Sequence, residues 1–298
     1  MNQQRLFWPL SLLLLAMVFA TMAIPVRYLN TEFSIFTQTY LRVILAFILS
    51  YIFFHSIRSE KILKISRKDW IILTIRGLLT YSIWVTAFSY SIVETKISNA
   101  AFIQAIPWVA LFWWTLLREK FRMKDAILVI IACIWVIFIW VKDFSHLWSF
   151  GKGETAAVIS SLAFALSYIM RRWLSEELNN QELTFIQLGI GWFFVLIVSL
   201  ILWEWIPPLE SFTSTFILWL LIISWLLNVA NLWLTNYWFS HSSAIVANNI
   251  LSTEWVFALL LGFLFFKELP NTREIIGSLL IMGSVILINT RSRENNPP

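Results

Sequence analysis

Charge is scarce in this chain, and cysteine and histidine are scarcer. Asp, Glu, Lys and Arg make up 13% of the 298 residues, against 59% hydrophobic, and the mean hydropathy is +0.75. A soluble domain of this size needs far more polar surface, so the shortage of charge excludes one. The one cysteine, Cys133, sits in an apolar run and has no partner for an internal disulfide. His55, His146 and His241 are scattered without metal-ligand spacing, so neither a metal nor another cofactor is expected. Nucleic-acid binding is not expected from the net charge of +5, because no soluble domain remains to carry it. His-Glu-x-x-His and Gly-x-Ser-x-Gly do not occur, and Gly151-Lys-Gly-Glu lacks the glycine spacing of a phosphate loop. An enzyme is therefore not expected.

What is present is a series of long apolar runs. A spanning helix needs about 20 mostly apolar residues. Ten stretches qualify: 7–26, 34–56, 70–92, 97–117, 124–141, 154–173, 183–204, 214–236, 243–266 and 272–289. The expected fold class is an all-α integral membrane protein with the lipid bilayer as its surroundings, as a monomer or weak dimer. Residues 1–23 resemble a signal peptide, but the run continues to Arg27 at spanning length and reads as an uncleaved first helix.

Lys and Arg set the orientation. With the N-terminus inside, the inner segments hold Arg5, then Arg58 to Lys68, Arg118 to Lys124, Arg171 with Arg172, and Arg291 with Arg293. The outer segments hold fewer: Arg27, Lys96, Lys142, Lys152, Lys267 and Arg273. Both termini are expected on the cytoplasmic side of a cytoplasmic (inner) membrane. Arg42 and Arg76 fall within spans.

The chain also repeats itself. Residues 77–141 and 221–289 share an order of polar helix, break, Asn-bearing helix, acid and final helix. Glu119 and Glu268 are half the chain apart, as are Asn99 and Asn248. The expected division is 1–145 and 146–298, five helices each. An odd number of spans brings the second copy in from the opposite face, so the two copies are inverted. Inverted repeats recur in secondary transporters, with the substrate site at mid-membrane between the halves.

Several stretches resemble a known family. Arg76-Gly-Leu-Leu-Thr-Tyr-Ser-Ile-Trp, then Ile106-Pro-Trp-Val-Ala and Leu117-Arg-Glu, are similar to the EamA-type half of the drug/metabolite transporter superfamily. Glu254-Trp-Val-Phe-Ala through Phe266-Lys-Glu268 is similar to the second half's signature, and Arg42 with Ala46 also fits. Trp255 stands where the family usually has Pro, and Lys267 where Gly usually precedes the acid. The Trp-Gly of the family's first span is replaced around Thr21–Pro25. The resemblance implies ten helices, alternating access and movement of a small metabolite, commonly export of amino acids and related compounds. Uptake of a nucleoside-, vitamin- or S-adenosylmethionine-like metabolite is the alternative. A non-transporting membrane partner is a further one.

A charge in mid-membrane costs at least about 2.5 kcal/mol, so each one needs a reason. Glu254 reads as a coupling group for protons or a partner for a substrate amine, and equally as a structural carboxylate. Arg42, with Gln38 one turn away, reads as a clamp for a substrate carboxylate, or as an anchor for a backbone carbonyl. Asn228 and Asn231, three apart, share a helix face between Trp225 and Trp233. Their amides suit a heteroatom-rich ligand or interhelical bonding. Tyr81 with Trp84 form the equivalent third-span face, and Gln104 with Trp108 that of the fourth, beside a helix break at Pro107. Asn248 and Trp255 complete the candidate substrate-binding set. Glu119 and Glu268, at helix ends, are expected to pair with neighbouring Lys or Arg.

Overall fold

The structure is a computed structural model that describes residues 14–54, 65–104, 151–175, 177–241 and 253–272, with a few isolated positions elsewhere. The expected spans 124–141 and, for the most part, 272–289 lie outside the described residues, as do Pro107, Trp108, Glu119 and Asn248.

Every regular element among the described residues is helical. We label them α1 (Leu14–Leu29), α2 (Ile35–Phe53), α3 (Arg67–Glu94), α4 (Ile97–Gln104), α5 (Lys152–Trp173), α6 (Asn180–Ile201), α7 (Thr215–His241) and α8 (Glu254–Phe266). Five of them (α2, α3, α5, α6 and α7) are long and apolar enough to cross a membrane, and α1 and α8 are shorter apolar helices.

Caps explain where these helices begin. Ser34 Oγ accepts the Thr37 N–H (3.2 Å) ahead of α2, and Ser66 Oγ accepts the Asp69 N–H (3.1 Å) ahead of α3. Asn179 and Glu182 form a capping box with two 2.8 Å bonds, which starts α6 three residues before its hydropathy run. Hydropathy windows do not register caps, so the expected span at 183 began late.

Polarity is distributed inside-out. On α2 the buried face carries Thr37, Gln38, Thr39, Arg42 and Ser50, while Ile48, Tyr51, Ile52 and Phe53 are exposed. A soluble helix would turn these faces round. Lipid tails give helices no hydrophobic reason to associate, so close packing and interhelical hydrogen bonds must hold them. Small residues serve that purpose on α5, where Ala156, Ala157, Ser160, Ser161, Ala163 and Ala165 are all buried. At the α3–α6 contact, Gly77 meets Ile190 and Gly191 meets Tyr81 so closely that a Cβ on Gly191 would lie 2.1 Å from the Tyr81 ring.

The helix directions can be followed from the end contacts. At one end, the C-terminus of α1 meets α7's first turns through Leu29, Ile217, Leu220 and Leu221. Gly153, at the start of α5, packs against Glu94 and Thr95 beyond α3. Thr37, early in α2, donates to the Glu204 carbonyl beyond α6, and Tyr40 Oη donates to the Trp205 carbonyl (2.6 Å). The opposite end is tied by Asp69 of α3, whose carboxylate accepts the Ser175 N–H (3.2 Å) and Oγ–H (2.8 Å) beyond α5. Thus α1, α3, α6 and α8 run toward the first end, and α2, α4, α5 and α7 run away from it.

Candidate functional site

One stretch of α3 departs from α-helical geometry. Residues Leu78–Val85 wind as a π-helix, and the Thr86 hydroxyl donates to the Tyr81 carbonyl (2.8 Å) five residues back. π-Helical turns are rare and concentrate at functional sites. This one carries Tyr81, Trp84 and Val85 onto the wall of a pocket inside the bundle.

The pocket is built by four helices. From α1 come Phe19, Met22 and Val26; from α2, Arg42; from α3, also Phe88 and Ser89; from α7, Asn228, Asn231, Leu232 and Thr235. Trp84 stacks on Phe19 (centroids 5.9 Å, 28°) and meets Phe164 edge-on (4.7 Å). The lining is therefore apolar and aromatic with a few placed polar groups, the usual character of a small-molecule site.

Arg42 is the single charged residue among the described lining residues. Its side chain is 1% exposed. Nε donates to the Gln38 carbonyl (3.2 Å), and Nη2 donates to Thr39 Oγ1 and Ser89 Oγ (3.2 Å each). The reading of Arg42 as an anchor for a backbone carbonyl has its counterpart in the Nε bond to Gln38, while Nη1 is buried without a hydrogen-bond partner among the described residues. Asn231 Oδ1 is likewise buried and unpartnered, while Asn228 Nδ2 donates to the Ser224 carbonyl (2.8 Å).

Of the ten expected site residues, the structure brings together five on this pocket: Arg42, Tyr81, Trp84, Asn228 and Asn231. Gln104 is not on it. Its amide donates to Ser160 Oγ, which donates in turn to the Trp84 carbonyl (3.0 Å), so Gln104 ties α4 and α5 to the pocket-bearing helix. Trp255 packs on Phe102 (5.2 Å) in a core cluster with Ala20, Ala23 and Ala101. Glu254 opens α8, half-buried, within electrostatic reach of Tyr168 and outside the pocket lining. Trp108 and Asn248 lie outside the described residues.

A second network was not foreseen. Arg76, also 1% exposed, donates from Nε to the Ser167 carbonyl and from Nη2 to Asn236 Oδ1 (2.8 Å each). Asn236 Nδ2 then donates to Thr184 Oγ1 and Gln187 Oε1 (3.1 Å each). The signal for it was the charge of Arg76 inside a span. Among the described residues, no group of His, Cys, Asp and Glu is placed to hold a metal.

A membrane-embedded helical bundle with a mostly apolar central pocket is the architecture of a small-molecule transporter. The EamA-like transporter family matches the chain twice, over residues 6–141 and 151–290. The chain belongs to that family, and is a multi-pass membrane transporter of small molecules. No curated protein matches it. Among solved structures, one titled only "Crystal structure of protein" matches with 11% identity and a TM-score of 0.65, over 99% of this chain and 100% of the other. That likeness speaks to the fold alone.

Proposed function

We propose that the protein is a secondary transporter, active or facilitative, that moves a small organic metabolite across the cytoplasmic membrane by alternating access. Amino acids and their derivatives are the favoured class. The working unit is ten spans in two inverted five-helix repeats, 1–145 and 146–298, with both termini cytoplasmic. The opposite directions of α1 and α5, and of each later pair among the described helices, support the inversion.

The observation that carries this reading is the pocket shared by α1, α2 and α3 of the first matched segment and α7 of the second. A site built from both halves changes its access when one half rocks against the other. Arg42, Tyr81, Trp84, Asn228 and Asn231 are its proposed substrate contacts, and Glu254 its proposed proton-coupling group. The test is flux out of proteoliposomes loaded with radiolabelled amino acids, nucleosides and vitamins. Flux above empty liposomes is expected for the amino acids. Absence of flux for every solute would overturn the transporter reading for this pocket.

A further inference from the structure

Two guanidinium groups, Arg42 and Arg76, are almost wholly buried, and each keeps Nη1 without a partner. Among the described residues neither buried arginine bonds to a carboxylate. Their partners are carbonyls, hydroxyls and one amide, which solvate a charge without neutralising it. An uncompensated charge in a low-dielectric interior is costly even when hydrogen-bonded. Both cations lie within electrostatic reach of Tyr81 on the pocket wall. Arg42 is the one charged group among the described lining residues, and none of them supplies an anion.

The guanidinium of Arg42 is held in a fixed orientation. Nε and Nη2 are held by Gln38, Thr39 and Ser89, which fixes the plane of the guanidinium and leaves the Nη1 side unengaged. A pre-oriented guanidinium edge matches a carboxylate better than it matches any neutral group. Asn231 Oδ1, on the same pocket, is an acceptor in need of a donor. Phe19, Trp84 and Phe88 supply an apolar, aromatic surface between polar groups.

We infer that the pocket selects solutes by a carboxylate, which docks on Arg42 Nη1, with an N–H donor of the same solute on Asn231 Oδ1. The inference rests on the transporter reading of this pocket but goes beyond it. It assigns the carboxylate as the required group and makes a solute with a fixed positive charge and no carboxylate a poor ligand. The ammonium of an amino acid is secondary, met by an amide oxygen and aromatic faces rather than by an acid.

Four solutes separate the contributions: L-phenylalanine, 3-phenylpropionate, L-phenylalaninamide and phenethylamine. Binding to the purified full chain is read by tryptophan fluorescence, and flux by counterflow in proteoliposomes. The two carboxylates are expected to bind about 10- to 100-fold more tightly than the two amines, the range of one charge-assisted hydrogen bond. Arg42→Gln should erase the difference and Arg42→Lys should keep part of it. The wild-type comparison needs no variant, so a misfolded Arg42→Gln protein does not rescue the idea. Amines that bind as well as the carboxylates overturn it, as does selectivity that survives Arg42→Gln, or binding of none of the four. Carboxylate-selective binding without flux keeps the carboxylate site and removes the transporter reading. Flux confined to the amines does the reverse.

Discussion

Arg27 and Glu268 form an ion pair that joins the end of α1 to the segment beyond α8, 241 positions along the chain. The pair is part of a knot. Arg27 also donates to the carbonyls of Ile92 (3.0 Å) and Thr95 (2.6 Å), and its guanidinium lies 4.8 Å from the Phe266 ring centre. The second oxygen of Glu268 accepts the Ile97 N–H (2.9 Å) at the start of α4. One acid and one base thus hold four chain segments at a single end of the bundle. The expected partner of Glu268 is a neighbouring Lys or Arg. The structure instead gives it Arg27, because Lys267 turns the chain and sends the acid back over Gly262.

Arg27→Ala should open this end. In a background with Cys133→Ser and a reporter Asn231→Cys, labelling by a charged, membrane-impermeant maleimide should rise several-fold when Arg27 is removed. Glu268→Gln should do the same to a smaller extent, since a glutamine can still accept the Ile97 N–H. Equal labelling rates with and without Arg27 would mean that the knot does not control access.

Lys267 adopts φ 54°, ψ 31°, the left-handed conformation, and closes α8 with bonds from its own N–H to Phe263 (3.0 Å) and from Glu268 N–H to Gly262 (3.1 Å). This is the helix-ending turn that glycine occupies without strain. A non-glycine residue there costs about 1–2 kcal/mol, part of which a glycine returns through a freer unfolded chain. Lys267→Gly should therefore raise stability by about 0.5–1 kcal/mol. Thermal unfolding in detergent is the check, and a lower midpoint for Lys267→Gly would contradict the argument.

Gly191→Ala tests the α3–α6 contact. Its Cβ would overlap the Tyr81 ring at 2.1 Å, at the ring's root rather than its flexible end. Either the helices separate or Tyr81 leaves the pocket wall, at a cost of about 1–3 kcal/mol. Solute binding should weaken together with stability. A variant as stable as the parent, with unchanged binding, would show that this contact does not hold Tyr81 on the pocket wall.

The contents of the pocket were legible in the sequence wherever a polar or aromatic residue broke an apolar background at helical spacing. Tyr81 with Trp84 and Asn228 with Asn231 are of this kind, each pair three apart and each on the pocket. Arg42 was legible as a charge inside a span. Phe19, Met22 and Val26 were not, because α1 is apolar on all sides and no periodicity marks the face turned inward. Ser89 was not, because a hydroxyl that positions an arginine 47 residues away leaves no local trace. Trp255 and Gln104 were legible as unusual residues, but their side chains are used for packing and for a bond between helices.

Asn236→Ala separates bonding that supports a buried charge from ordinary interhelical bonding. The substitution strips Arg76 Nη2, Thr184 and Gln187 of their shared partner in one step. Unmet buried groups cost about 1–3 kcal/mol each and more when charged, so a loss of at least about 2 kcal/mol is expected. Asn228→Ala, which forfeits one bond to the Ser224 carbonyl, should cost under about 1 kcal/mol. Equal losses for the two variants would show that Arg76 draws no special support from Asn236.

Glu254 is the proposed coupling group rather than a proposed binding group. It opens α8 beside Trp255, half-buried, and does not line the pocket. On the coupling reading this carboxylate exchanges a proton as the helix moves. Glu254→Gln keeps the shape of the side chain and removes the exchange. It should leave solute binding within about twofold, a change worth under 1 kcal/mol. The response of net flux to an imposed pH gradient should be abolished, while counterflow at equal pH persists. Net flux that keeps its full pH response in Glu254→Gln would assign coupling elsewhere. Loss of counterflow as well would make the residue part of the moving scaffold instead of the proton path.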